Sequence, residues 1–162
     1  MVVFSPVTED DLDSIKEIYD YYILNTTATF HGEAITVPEL KEFLSVDHPK
    51  YPSFVLREGD ETIGFCFTTR YKKRQAYDRT AEVSIYLRPE YTGHGIGVAA
   101  LRRLEDAAEH SGIRVLVGTL CAENRASIRL MERCGYTRSA HLKSVGEKFG
   151  RVLDVVIYQK EM

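Results

Sequence analysis

Tyr91-Thr92-Gly93-His94-Gly95-Ile96-Gly97 stands between an alternating strand pattern, residues 80–87, and a helical pattern, residues 98–110, and this junction decides how the chain is read. Glycine has no Cβ and enters left-handed backbone without steric cost, so Gly93, Gly95 and Gly97 let successive N–H groups turn toward one anion. At a helix N-terminus, where the macrodipole favours negative charge, such a loop reads as a phosphate cradle. Spacing separates the known phosphate loops. An ATP-type loop needs Lys-Ser/Thr after its last glycine, and here Val98-Ala99 follows Gly97. A dinucleotide loop needs a third glycine where Val98 stands and an acidic residue about 20 positions on, where Val115 and Val117 stand. The expectation left is a different pyrophosphate-bearing cofactor.

Working outward, residues 2–7 form a strand pattern. Thr8 and Asp11 have the spacing of a capping box, and Leu12, Ile15, Ile18, Tyr19, Tyr22 and Ile23 then recur at helical intervals. Thr36, Pro38 and Glu39 open a second short helix ending near Leu44. Residues 53–56 and 62–69 flank Gly59-Asp60 as a hairpin. The long helix, residues 95–111, stops at Gly112, and a later one, residues 125–134, stops at Gly135. Residues 115–120 read as a buried strand, and residues 136–143 and 153–160 as a final pair. No repeat, linker or low-complexity tract interrupts the order. The fold expected is one α+β domain over residues 1–162, a mixed, mostly antiparallel sheet flanked by helices on both faces.

Composition agrees: 162 residues, 44% hydrophobic and 28% charged, suit one domain with a sizeable core. The formal net charge of −3 gives no general attraction to nucleic acid or anionic membrane. No apolar run approaches the ~20 residues of a membrane span, and no leader pattern opens the chain, so the expectation is a soluble cytoplasmic protein. Cys66, Cys121 and Cys134 are isolated, without C-x-x-C or zinc-like His spacing, and read as buried free thiols with no metal.

Beyond the glycine loop, the chain resembles the GNAT superfamily of acyl-CoA N-acyltransferases, and within it the phosphinothricin acetyltransferase-like branch. The resemblance rests on Tyr22 with Asn25-Thr26-Thr27-Ala28-Thr29-Phe30, Ala76-Tyr77-Asp78, Glu82-Val83-Ser84-Ile85-Tyr86 and Gly93-His94-Gly95-Ile96-Gly97. Asn124-Arg125-Ala126-Ser127-Ile128-Arg129-Leu130 and Val145-Gly146 with Lys148-Phe149-Gly150-Arg151 continue it in the same order. It implies that two neighbouring strands part and that the pantetheine arm of acetyl-CoA lies between them. Backbone groups of Ile85, Tyr86 and Leu87 would bond the arm. Thr92, Gly93, His94, Gly95, Ile96 and Gly97 would hold the pyrophosphate, and Asn124 and Ser127 would face the cofactor. Both of the latter types also favour helix starts in their own right.

The implied reaction moves an acetyl group from acetyl-CoA to an amine. An ammonium has no lone pair, so a base must first take a proton, and Glu82 is the candidate. Strand alternation puts Ser84 and Tyr86 on its face and Val83, Ile85 and Leu87 on the other. A backbone N–H of this strand would stabilise the developing oxyanion. Phe30 and Tyr77 would wall the acceptor and Arg74 fork its acid group, within a locally basic stretch, residues 70–74. The acceptors implied are small amino-acid-like amines of the phosphinothricin or methionine sulfoximine type, and a homodimer is implied with residues 145–151 near its interface.

Three features depart from the pattern. Met131 stands where relatives place a Tyr or His able to protonate the leaving thiolate. Water, a nearby Tyr, or unassisted departure of a thiolate whose conjugate thiol has a pKa of about 8.5 must then serve. Thr92 replaces the usual Arg or Gln, and the chain has no Trp. A protein N-acetyltransferase and a non-catalytic acyl-CoA sensor stay open as alternatives.

Overall fold

A computed structural model describes residues 1–162. The strand β1 (Val2–Pro6) leads through the Thr8–Asp11 capping box, with Thr8 N–H 2.8 Å from Asp11 Oδ2, into α1 (Leu12–Asn25). Ile15, Ile18, Tyr19 and Ile23 make its buried stripe. The second box, Thr36 with Glu39, starts α2 (Val37–Phe43). Then follow β2 (Ser53–Glu58), β3 (Glu61–Arg70), β4 (Thr80–Leu87), α3 (Ile96–His110), β5 (Val115–Cys121), α4 (Arg125–Arg133), β6 (Thr137–Lys148) and β7 (Arg151–Glu161). Gly112 at φ +91° and Gly135 at φ +88° terminate α3 and α4 as expected.

The strands form one seven-stranded sheet in the order β1-β2-β3-β4-β5-β7-β6, antiparallel except between β4 and β5. The α1 and α2 helices pack on one face over Val55, Phe65 and Phe67. On the opposite face, α3 places Ala100, Leu101 and Leu104 over Leu56, Ala81, Val83 and Leu116, and Met131 of α4 joins that cluster.

The final hairpin is longer than its apolar alternation predicts. β6 runs on to Lys148, and Phe149 and Gly150, at φ +55° and +69°, make the tight turn into β7. Positive φ at both central positions matches the twist of a two-residue hairpin. The extension escapes the sequence pattern because β6 is largely exposed and its register with β7 shifts between Leu142 and Gly146.

β4 and β5 pair only through Thr80↔Val115, Ala81↔Leu116 and Glu82↔Val117. Both strands continue, to Leu87 and Cys121, so beyond Glu82 the sheet opens as a wedge. Along the other edge of β4 the fit is close: a Cβ on Gly64 would lie 2.6 Å from Leu87 Cδ2 and 2.7 Å from the Tyr86 carbonyl oxygen. Gly64→Ala is therefore expected to destabilise the fold by about 1–3 kcal/mol in urea unfolding. An unchanged midpoint would mean that β4 is free to retreat.

Candidate active site

The wedge exposes backbone polar groups. The β3–β4 register pairs Phe65 with Tyr86, and the Arg88 N–H reaches the Ile63 carbonyl at 2.8 Å. Along an antiparallel ladder the hydrogen-bonding edge alternates with each residue. Tyr86 is therefore spent on β3, while Val83, Ile85 and Leu87 turn their N–H and C=O groups toward the gap. Tyr86 instead offers its side chain to the cleft. The Leu87 carbonyl is taken by the Tyr22 hydroxyl and the Val83 N–H by the last β4–β5 pair, so the free groups along the wedge are the Val83 carbonyl, both groups of Ile85 and the Leu87 N–H.

The cleft has a volume of about 840 Å³. Residues 83–87 form its floor, Tyr22 and residues 26–28 one rim, and Thr119, Leu120, Asn124, Ser127 and Met131 the opposite wall. Thr92, Gly93, Gly95 and Gly97 close one end. The glycine loop is tethered from below: Arg88 Nε donates to the Thr62 carbonyl at 2.8 Å, Tyr91 Oη to Glu61 at 3.0 Å, and Thr92 Oγ1 to the Pro89 carbonyl at 2.7 Å. Gly93 and Gly95 take φ +78° and +82°. No backbone carbonyl accepts from the N–H groups of residues 93–98, and no side chain caps α3. Unpaired donors at a helix start form an anion site. His94 is exposed and outside the cleft lining, and Ile96 packs against the core, so neither side chain lines the cleft.

Asn124 serves both readings of its residue type. Its Oδ1 caps α4 by accepting from the Ser127 N–H at 3.2 Å, and Asn124 and Ser127 both line the cleft. Met131 is 4% exposed, and its Cε sits 2.5 Å from where a Gly118 Cβ would stand. The absence of a side chain at Gly118 is what lets the thioether fold against β5. Tyr22 also lines the cleft, and burial pushes its phenol pKa up to about 12. Burial likewise raises the Tyr86 phenol, whose ring packs on Tyr19, Tyr22 and Phe65 at centroid distances of 5.2, 5.3 and 5.3 Å.

Glu82 sits at the vertex of the wedge, in the last β4–β5 pair, half-buried and next to the lining residues Val83 and Ser84. It shares a face with Ser84 and Tyr86, as alternation requires, and enters none of the protein's ion pairs. The expected acceptor residues are less gathered. Phe30 is exposed, with its ring edge against Gly146, where a Cβ would come within 2.9 Å. Arg74 and Tyr77 are exposed on the connection from β3 to β4, with Tyr77 edge-on to Tyr71 at 5.7 Å, and none of these three lines the cleft.

Two side chains escaped the sequence reading. Glu123 accepts from Thr27 Oγ1 at 2.6 Å and from both Arg151 terminal nitrogens at 2.9 Å, tying the 26–28 rim to the opposite wall. The Arg151 guanidinium, with help from Thr27, holds the Glu123 carboxyl down at about 2. Because the folded value is depressed, this clasp is fully present above the ordinary carboxylate range and is lost only as pH falls toward 2. Lys148, 6% exposed, donates to the Thr29 carbonyl at 2.8 Å, and its desolvation lowers its pKa. These links span 96 and 119 residues of chain, and no local spacing announces them.

Residues 15–136 match the acetyltransferase (GNAT) family, and the chain belongs to that family. Within it, the chain falls in the phosphinothricin acetyltransferase-like branch. It is 30% identical to the phosphinothricin N-acetyltransferase of Streptomyces coelicolor, covering 97% of this chain and 94% of that one. It is 32% identical to an L-methionine sulfoximine/L-methionine sulfone acetyltransferase of Salmonella typhimurium, over 94% and 90%. The crystal structure of a phosphinothricin acetyltransferase from Sinorhizobium meliloti in complex with AcCoA superposes with a TM-score of 0.92 at 29% identity, covering 99% of this chain and 88% of that one. No helix is long and apolar enough to cross a membrane.

Proposed function

We propose that this protein transfers the acetyl group of acetyl-CoA to the primary amine of a small amino-acid-like acceptor of the phosphinothricin or methionine sulfoximine type. The observation that carries the reading is the wedge between β4 and β5, which leads from Glu82 to the unpaired N–H groups of residues 93–98. An extended, amide-bearing arm ending in a pyrophosphate suits both parts. The Val83 carbonyl, the Ile85 edge and the Leu87 N–H would bond the arm, the loop of Thr92, Gly93, His94, Gly95, Ile96 and Gly97 would hold the phosphates, and Asn124 Nδ2 and Ser127 Oγ would face it across the cleft. When bound, acetyl-CoA supplies an acyl group activated as a thioester.

Glu82 takes the proton from the acceptor ammonium, directly or through one water, so that the amine lone pair becomes available. Its position at the wedge vertex, free of any ion pair, leaves the carboxylate available for that proton. An N–H of β4 facing the gap stabilises the negative charge that develops on the carbonyl oxygen. With Met131 unable to donate and the Tyr22 proton held by the Leu87 carbonyl, a water in the cleft meets the departing thiolate. Phe30 and Tyr77 flank the acceptor and Arg74, in no ion pair, forks its acid group. The clasp of Thr27, Glu123 and Arg151 ties the 26–28 rim to the opposite wall, which suits a small acceptor better than a polypeptide.

Thiol release would be followed with acetyl-CoA and a panel of free amino acids, including methionine sulfoximine and phosphinothricin, beside peptides with free N-termini and lysines. Saturable release with a free amino acid supports the reading; release with peptides alone moves the protein to the protein-acetylating class, and binding without release makes it a sensor.

The assembly proposed is a homodimer. Leu142, Val145, Phe149 and Val152 are 42%, 57%, 53% and 64% exposed on the β6–β7 hairpin, where β6 also leaves a sheet edge open. Such a patch invites a second copy. Val145→Asp with Val152→Asp is expected to convert a dimer to a monomer in sedimentation equilibrium, and a wild-type monomer would overturn the proposal. The compartment proposed is the cytoplasm, which suits three buried free thiols.

A further inference from the structure

The α4 helix carries Arg125, Arg129 and Arg133 at successive four-residue intervals, a row of like charges that repel one another on an isolated helix. None of them enters an ion pair, and the one acidic residue of α4, Glu132, accepts from the Tyr158 hydroxyl at 2.8 Å. Arg129 and Arg133 line the large cleft, whereas Arg125 lines only a smaller groove along the helix, which Arg129 also borders. Between them, Leu130 packs on the first turn of α3, where a Cβ on Gly97 would lie 3.3 Å from Leu130 Cδ2. Two arginines therefore line the same cleft as Gly93, Gly95 and Gly97, separate from the backbone donors that the loop itself supplies.

Arg133 in the last turn also complements the helix dipole, but that role needs no orientation toward the cleft and does not account for Arg129. Resting on the acetyl-CoA reading above, we infer that Arg129 and Arg133 bind a second phosphate of the same cofactor, the monoester on its 3′-ribose oxygen. The pyrophosphate is met by N–H groups, which suit an ester phosphate with one charge on each phosphorus. A terminal monoester carries nearly two charges and three acceptor oxygens, and is better matched by guanidinium forks. The pair also offsets Thr92, which supplies no cation to the loop. Within a chain of net charge −3, this row concentrates positive potential at the cofactor's entrance.

The test is calorimetric binding of acetyl-CoA and of acetyl-3′-dephospho-CoA to the wild type, to Arg129→Gln/Arg133→Gln and to the control Arg125→Gln. Circular dichroism would confirm an unaltered fold, since both substituted side chains are exposed. The double variant is expected to bind acetyl-CoA roughly tenfold more weakly, with the difference shrinking as salt rises. Its affinity for the dephospho compound should match that of the wild type, and Arg125→Gln should match the wild type for both ligands. Equal losses for both ligands would place the arginines on the pyrophosphate and overturn the inference, as would no loss for either. A wild type that binds neither ligand would instead overturn the acetyl-CoA reading on which the inference rests, and is recognised without any variant.

Discussion

Glu82→Gln is expected to lower kcat by roughly 10²–10⁴-fold, the usual contribution of a positioned general base, and to leave acetyl-CoA affinity nearly unchanged. The substitution keeps the shape of the side chain at the wedge vertex, where it packs half-buried on the face shared with Ser84 and Tyr86. No ion pair is broken, since Glu82 makes none, so a large loss of rate cannot be charged to a damaged fold. What disappears is the proton acceptor, and the consequence is specific. The variant should recover rate at high pH, where acceptor amine is already neutral, faster than the wild type does. Steady-state rates from neutral pH to the amine pKa, with binding of acetyl-CoA measured in parallel, would check both parts. A variant within threefold of the wild type at neutral pH would show that another group takes the proton.

Gly95→Val is expected to weaken acetyl-CoA binding by on the order of a hundredfold, because each charge-assisted hydrogen bond to a phosphate contributes about 1.5–3 kcal/mol. Gly95 is the N-cap of α3 at φ +82°, and a β-branched residue does not hold that conformation. Left-handed backbone costs an L-residue roughly 1–2 kcal/mol, so the loop would relax and its N–H groups would no longer converge. There is open space around the glycine, with no atom within 4 Å of a built Cβ, so the effect comes from backbone conformation and not from collision. Gly97 offers the contrast: it has ordinary φ, and a Cβ there meets only Leu130. Gly97→Ala should therefore bind acetyl-CoA within a few-fold of the wild type. Isothermal titration of the two variants separates conformation from crowding, and equal affinities would contradict the cradle.

Much of this was legible in the residues because the signals were local. Capping boxes at Thr8 and Thr36, stop glycines at 112 and 135, and strand alternation at residues 80–87 each act within a few positions, and each stands as read. The glycine loop was legible for the same reason. What the sequence hid was long-range or solvent-facing. Glu123 meets Thr27 and Arg151 only once the sheet has brought three distant segments together, and Lys148 reaches Thr29 across the same gap. The Tyr22 hydroxyl takes the Leu87 carbonyl, one of the groups the resemblance assigns to the cofactor, through a contact 65 residues apart. The Tyr86 backbone is likewise spent on β3, a consequence of register that alternation of side chains does not reveal. The far half of β6 stayed invisible because an exposed strand with a shifted register keeps no apolar period.

The most direct test of the central claim is to incubate the wild type with acetyl-CoA and methionine sulfoximine, and to quantify N-acetylated product by mass spectrometry alongside free thiol. The account predicts that the two rise together, mole for mole, and that both collapse in Glu82→Gln. Thiol appearing without N-acetylated product, or the same yield from the variant, would contradict it.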